Sequence, residues 1–284
     1  GLHLNDYAGG TGWGANEWVV SDSFGDNSGA VVYDSGSLPG IAAGAASGHK
    51  IKFFAADNFR YIDATRTLDT AISSGTIYLS WRMNFSYDGP NNYAGLRIMN
   101  SSDGVEAFIG NPYTTENLCI SEYGSLTESS EELAHGSGND YVYAVKIQFN
   151  ASGSDDLISA AAFKSGAKLP GEEPAVWTLT VTTQVDNVGK IRLSCGGNEG
   201  NQIGLTYFDE IRIGDNWTAT MRYDGQQYRQ MMEAGPTPEL IYIGASYTPT
   251  SSTFKTSITD AELNNSGENV DIAVSWTSPY GVFL

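Results

Sequence analysis

A chain of 284 residues with 40% hydrophobic and 12% aromatic side chains can bury one large core or two modest ones, so it needs no staple to fold. Its 33 Asp and Glu against 15 Lys and Arg leave a formal charge of -18, which repels nucleic-acid phosphates and anionic membrane surfaces alike. No apolar run reaches the roughly 18 residues of a membrane-spanning helix, and 33 glycines with only 17% charged side chains argue for an all-β protein over a coiled coil or a charge-driven disordered chain.

Period-two alternation is common along the chain and helical periodicity is scarce. The clearest strand covers 76–85. Ile77, Leu79, Trp81, Met83 and Phe85 fall on one face, read as core, and Tyr78, Ser80, Arg82 and Asn84 fall on the other, read as polar and outward. Strands are expected next at 93–99, 105–109 and, more weakly, 117–121. The stretch 126–134 (LTESSEELA) is the one helix-like piece and reads as a loop or single turn. Residues 141–149 alternate strongly, with 157–163 as hairpin partner across Ser152-Gly153-Ser154-Asp155-Asp156. Strands at 177–183, 190–194 and 207–213 complete the set, and so many short strands between turn signals indicate an antiparallel β-sandwich or barrel.

The pattern breaks at 223–238, where Asp224-Gly225 and Gly235-Pro236-Thr237-Pro238 bracket a polar stretch, so residues 1–222 read as the main domain and 223–238 as a linker. Strand-like runs at 239–246, 251–259 and 269–276 read as a small β extension or the start of a further module. The chain begins at Gly1 with no signal peptide and stops in the apolar run Val282-Phe283-Leu284. That is the pattern of a processed or excised piece of a longer protein, or of strands that dock on the sandwich or on another copy.

Cys119 and Cys195 have no CxxC or zinc-ligand spacing; one disulfide between neighbouring strands and two buried free thiols both fit. Glycoside hydrolysis needs two carboxylates converging across roughly 5–9 Å. The pairs Glu131-Glu132, Asp155-Asp156 and Glu172-Glu173 all fall in expected loops, and Glu106 is the one acid on an outward strand face beside aromatics. His3, His49 and His135 lie in neither HExxH nor G-x-S-x-G, and there is no EF-hand. No catalytic activity is therefore expected. Sugar binding needs aromatic faces and planar polar groups, and by strand parity Tyr78, Arg82, Tyr93, Arg97, Glu106 and Phe108 stand opposite the core sets. The same parity would give an ordinary solvated sheet face, or one covered by the 111–137 stretch. Trp13, Trp18, Trp81 and Trp217 read as core anchors.

Several strings resemble the LamG-like, concanavalin A-like jelly-roll domains of secreted bacterial proteins. The run from Tyr7 to Trp18 (YAGGTGWGANEW) resembles their opening, and Ser37-Leu38-Pro39-Gly40 the motif that follows. Tyr93-Ala94-Gly95-Leu96 with Glu106-Ala107-Phe108-Ile109-Gly110 resembles their central hairpin, 141–149 a later strand, and 208–217 (FDEIRIGDNW) their closing strand. The matches keep family order over about 5–220. At 158–163 (ISAAAF) the usual hairpin ending is replaced, and nothing after Tyr223 has a counterpart. The resemblance implies a concanavalin A-like jelly roll outside a bacterial cell or on its surface. It also implies one structural calcium ion held by Asp209 of the closing strand with a backbone carbonyl such as that of Gly48; alternatively Asp209 caps a turn or binds backbone amides. Since the fold hosts lectins, glycosidases and scaffolds, the expected function is non-catalytic carbohydrate recognition or adhesion, with glycans as partners. The alternative is a structural subunit of a cell-surface or filamentous assembly that self-associates or contacts neighbouring surface-protein modules. A glycoside hydrolase is the remote third option: the Glu-x-Asp-x-(x)-Glu string of laminarinase-type enzymes is absent.

Overall fold

The computed structural model describes residues 2–3, 17–23, 25, 30–33, 38, 50–53, 61–85, 92–112, 115–122, 125–134, 139–150, 155–164, 169–197, 206–221, 243–245 and 256–258. The chain divides into two units, Gly1–Gln227 and Tyr228–Leu284. In the first unit the strands are β1 (Leu2–His3), β2 (Val19–Asp22), β3 (Ala30–Tyr33), β4 (Lys50–Phe53), β5 (Tyr61–Ile72), β6 (Thr76–Phe85), β7 (Asn92–Met99) and β8 (Val105–Asn111). They continue with β9 (Asn117–Glu122), β10 (Ser125–Glu132), β11 (Asp140–Gln148), β12 (Asp156–Lys164), β13 (Leu179–Thr183), β14 (Val188–Gly197) and β15 (Thr206–Gly214), followed by the single helical turn α1 (Trp217–Thr220). In the second unit β16 (Ile243–Ala245) and β17 (Thr256–Ile258) form an antiparallel pair with Ile243 opposite Ile258. The run expected at 269–276 lies outside the described residues.

Two antiparallel sheets make the first unit a jelly-roll β-sandwich. One has eight strands in the order β1-β3-β4-β15-β6-β11-β12-β13, and the other seven in the order β10-β9-β8-β7-β14-β5-β2. Alternation decides what lies between them. Leu79, Trp81 and Met83 of β6 and Tyr143 and Val145 of β11 point inward from the first sheet. Ile62 and Ala64 of β5, Leu96 and Ile98 of β7, and Ile191 and Leu193 of β14 meet them from the second. Tyr143 sits opposite Trp81 in the register, and their rings stack 5.2 Å apart. Trp18 joins the same core.

The other face of β6 is not the open polar surface expected: Tyr78, Ser80, Arg82 and Asn84 are all buried. A second, smaller core covers part of it. Tyr78, Val142 and Ala144 pack against Leu169, Trp217 and Met221, with Phe163 and Trp177 at the margin. Trp217 is also an anchor, but of this outer core. Its Nε1 donates to the Pro170 carbonyl (3.1 Å), and Ser80 Oγ donates to the Thr220 carbonyl (2.8 Å), so the cover is tied down by polar bonds as well as by area.

Two further departures have physical causes. Residues 126–134 do not form a loop or helical turn. Ser125–Glu132 pairs with β9 as the outermost strand of the seven-stranded sheet, and its alternation is hidden because it is exposed almost throughout and bulged between Glu128 and Glu132. In β15 the register shifts between Asp209 and Arg212, and Glu210 takes a left-handed backbone (φ 52°) that non-glycine residues rarely adopt. Such a bulge re-aims its neighbours' side chains.

Candidate functional site

The structure divides the six candidate sugar-binding residues between the two sheets. Tyr78 and Arg82 belong to the eight-stranded sheet and are buried, which corrects their placement on an open face. The Tyr78 hydroxyl donates to Glu173 Oε2 (2.5 Å), and Lys146 Nζ donates to the other carboxylate oxygen (2.6 Å), as Trp177 Nε1 does at 3.3 Å. Burial first, and Glu173 second, push the Tyr78 phenol up to about 12. Arg82 is 1% exposed and donates from Nη1 to the Leu38 carbonyl (2.8 Å).

Tyr93, Arg97, Glu106 and Phe108 lie on adjacent strands of the seven-stranded sheet. The face turned away from the core is built in cross-strand rows. One row runs Phe108, Arg97, Arg192, Thr65, Val19; the next runs Gly110, Gly95, Ser194, Asp63, Ser21; a third sets Tyr93 and Tyr61 on either side of Gly196. The glycines are what let the rings lie down. A Cβ at Gly196 would stand 2.4 Å from Tyr93 Cε1, and one at Gly95 would meet the Ile109 carbonyl oxygen first and then Phe108 Cζ at 2.8 Å, so each ring covers a glycine of the neighbouring strand. The two rings meet edge to face at 6.0 Å, both half-buried, and the Arg97 guanidinium lies 5.8 Å from the Tyr93 centroid. Burial raises the Tyr93 phenol, Asp63 and Cys195 add to this, and Arg97 only partly offsets it. Its hydroxyl is therefore a neutral donor at physiological pH.

Beside the rings, Ser194 Oγ donates to Asp63 Oδ1 (2.6 Å), Arg192 Nε donates to Thr65 Oγ1 (2.9 Å), and Arg192 Nη1 lies 3.7 Å from Asp63 Oδ2. None of Asp63, Thr65, Arg192 and Ser194 stood among the sequence candidates. For Asp63 and Thr65 the signal was the alternation of 61–68, broken to the eye by Arg66. That residue sits on the core side, 3% exposed, with its guanidinium 5.7 Å from the Trp18 ring. For Arg192 and Ser194 it was the outward parity of the strand already expected at 190–194.

Glu106 has a different position from its three neighbours. It falls at the register shift between β7 and β8, is 1% exposed, and accepts from Asn100 Nδ2 (2.6 Å). Asn100 Oδ1 in turn accepts the backbone N–H groups of Ser102 (2.9 Å) and Gly104 (2.8 Å), so this acid anchors the β7–β8 turn.

Asp209 accepts one backbone N–H on each carboxylate oxygen, from Leu38 (2.9 Å) and from Glu210 (2.9 Å). Arg82 of β6 bonds the Leu38 carbonyl, so Leu38 is held by both of its backbone polar groups, one from each of two neighbouring strands. Burial raises the Asp209 carboxyl, against the pull of those two N–H groups and Arg82. Gly48 lies outside the described residues. Among the described residues no group of three or more His, Cys, Asp or Glu could hold a metal ion. A calcium ion at Asp209 would thus draw its remaining oxygens from backbone carbonyls or from beyond the described set.

Cys119 and Cys195 are both free and buried, which settles the choice between disulfide and thiols. They lie on β9 and β14, with β8 and β7 between them. Three strand spacings make about 14 Å, twice what a disulfide spans. Burial pushes the Cys119 thiol up to about 12 and that of Cys195 also upward.

No protein-family model matches the chain, and no curated protein matches it. Solved structures similar to it include the cellulose-induced protein Cip1, with TM-score 0.42, 15% identity, and 70% of this chain and 91% of that one covered. The catalytic domain of a glycoside hydrolase family 131 protein from Coprinopsis cinerea is similar at TM-score 0.44 and 13% identity, over 70% of this chain and 82% of that one. The carbohydrate-binding module CBM66 from Bacillus subtilis is similar at TM-score 0.33 and 9% identity, over 65% and 94%. Likenesses this distant carry no argument about activity.

Proposed function

We propose that this chain is a non-catalytic, extracellular carbohydrate-binding module, and that it binds on the outer face of the seven-stranded sheet around Tyr93 and Phe108. The observation that carries the reading is the ring pair laid over Gly196 and Gly95 and flanked by Arg97, Arg192, Thr65, Ser194 and Asp63. Sugar rings offer apolar C–H faces and a fringe of hydroxyls. Aromatic rings fixed in place match the first, and planar donors and acceptors match the second.

Binding without hydrolysis fits the spacing of Asp63 and Glu106. Asp63 on β5 and Glu106 on β8 are separated by β14 and β7. That is about 14 Å by strand spacing, beyond the roughly 5–9 Å that glycosidic cleavage uses. Glu106 is also committed to Asn100.

A glycan array followed by calorimetry on the whole chain tests the proposal. Tyr93→Ala and Phe108→Ala should each weaken binding about tenfold, the loss of roughly 1.4 kcal/mol of ring contact, with circular dichroism unchanged. Absence of binding to every glycan at millimolar concentration, or binding indifferent to both substitutions, would overturn it.

A further inference from the structure

We infer that the carbohydrate this face takes is acidic, its carboxylate meeting the Arg97 guanidinium while its ring covers Tyr93 and Phe108. The inference rests on the binding-module reading above and adds a ligand class to it.

The argument starts from charge. The chain carries 33 acids and only 15 Lys and Arg, yet Arg97 of β7 and Arg192 of β14 stand directly opposite each other on one face. Lys190 follows two residues from Arg192 on the same face. Like charges directly across an antiparallel pair repel and destabilise it. Two of the three cations have a carboxylate within reach: Lys190 Nζ is 2.6 Å from Asp103 Oδ1, and Arg192 Nη1 is 3.7 Å from Asp63 Oδ2. Arg97 has none among the described residues; its partner is Tyr93, through the ring face and a side-chain hydrogen bond. Its fork of N–H donors therefore lies beside the aromatic pair, at the register position opposite Arg192. A carboxylate accepts two parallel N–H bonds from such a fork, a geometry an ammonium cannot supply. A uronate seated there would neutralise Arg97 and relieve its repulsion with Arg192.

The test is calorimetry with a panel of uronate oligosaccharides, each paired with its carboxyl-reduced neutral form. Native chain should bind at least one acidic oligosaccharide about tenfold tighter than its neutral form, and the gap should narrow from 50 to 500 mM salt, about as screening requires. Arg97→Gln should abolish the preference, lowering the acidic form's affinity further than the neutral form's until the two are equal. Arg97→Lys should restore only part of it. Equal affinity for the paired forms, or a preference that survives Arg97→Gln, overturns the inference and leaves the binding-module reading standing. Failure of both forms to bind, on this panel and on a neutral array, removes both.

Discussion

Gly110 and Gly196 are both buried positions on the same sheet face, yet a methyl group would do different things at each. At Gly196 the three atoms nearest the added carbon all belong to the Tyr93 side chain, at 2.4–2.6 Å, and a side chain yields where backbone does not. At Gly110 it meets the Ala94 carbonyl oxygen at 2.2 Å and Gly95 Cα at 2.5 Å, which are backbone of the paired strand. Gly196→Ala should therefore weaken ligand binding with little change in urea midpoint, whereas Gly110→Ala should cost roughly 1–3 kcal/mol of stability by the same titration. Asp209→Ala strips the acceptors from the buried Leu38 N–H and the half-buried Glu210 N–H. Its expected cost is about 2–4 kcal/mol in urea unfolding, from one or two unsatisfied donors. At this scale the sequence marked Tyr93, Arg97 and Phe108 by parity alone, because parity is a backbone property. It could not show that Glu106 is withdrawn by a register shift, nor that Tyr78 is covered, because both depend on which distant segment packs where.

Among elements, β6, β7, β8, β11, β12, β14 and β15 were legible because buried strands repeat their apolar residues every second position. The strand β5 was not, since Arg66 occupies a core-side position, and β10 was not, since it buries almost nothing. The cover of the eight-stranded sheet was equally invisible: residues 169–177 look like a proline- and glutamate-bearing loop, and only the fold brings them over Tyr78. Trp217 anchors that cover at 5% exposure. Trp217→Ala should destabilise the unit by about 3–5 kcal/mol, read by thermal or urea unfolding. Across the seven-stranded sheet, both thiols should resist Ellman's reagent in the native protein and react together once it is unfolded. A thiol titrating at native rates would contradict their burial.

For the whole molecule, acid acts in two directions. Burial raises the carboxyls of Asp209 and Asp140 above their usual range, so the native state binds their protons more readily than the unfolded chain. Their contribution grows as pH falls through those raised values towards about 4. Burial would also raise Glu173, but hydrogen bonds from Lys146, Tyr78 and Trp177 outweigh it and hold that carboxyl low, so its contribution is present at neutral pH and is lost below about 4. Thermal melting should thus rise as pH falls from 7 towards about 4 and drop again below it, with the rise reduced in Asp209→Asn.

The outermost position of β10 has a consequence for how copies of this chain treat one another. Among the described residues no strand pairs with its outer flank, whose amides and carbonyls can template a newcomer, and Leu126, 47% exposed, adds an adhesive spot. Glu128, Glu131 and Glu132 stand along the same ribbon and turn an approaching twin away while they are ionised. Exchanging all three for glutamine should leave each sandwich intact and let the molecules zip side by side, visible as a steep increase in scattered light at neutral pH.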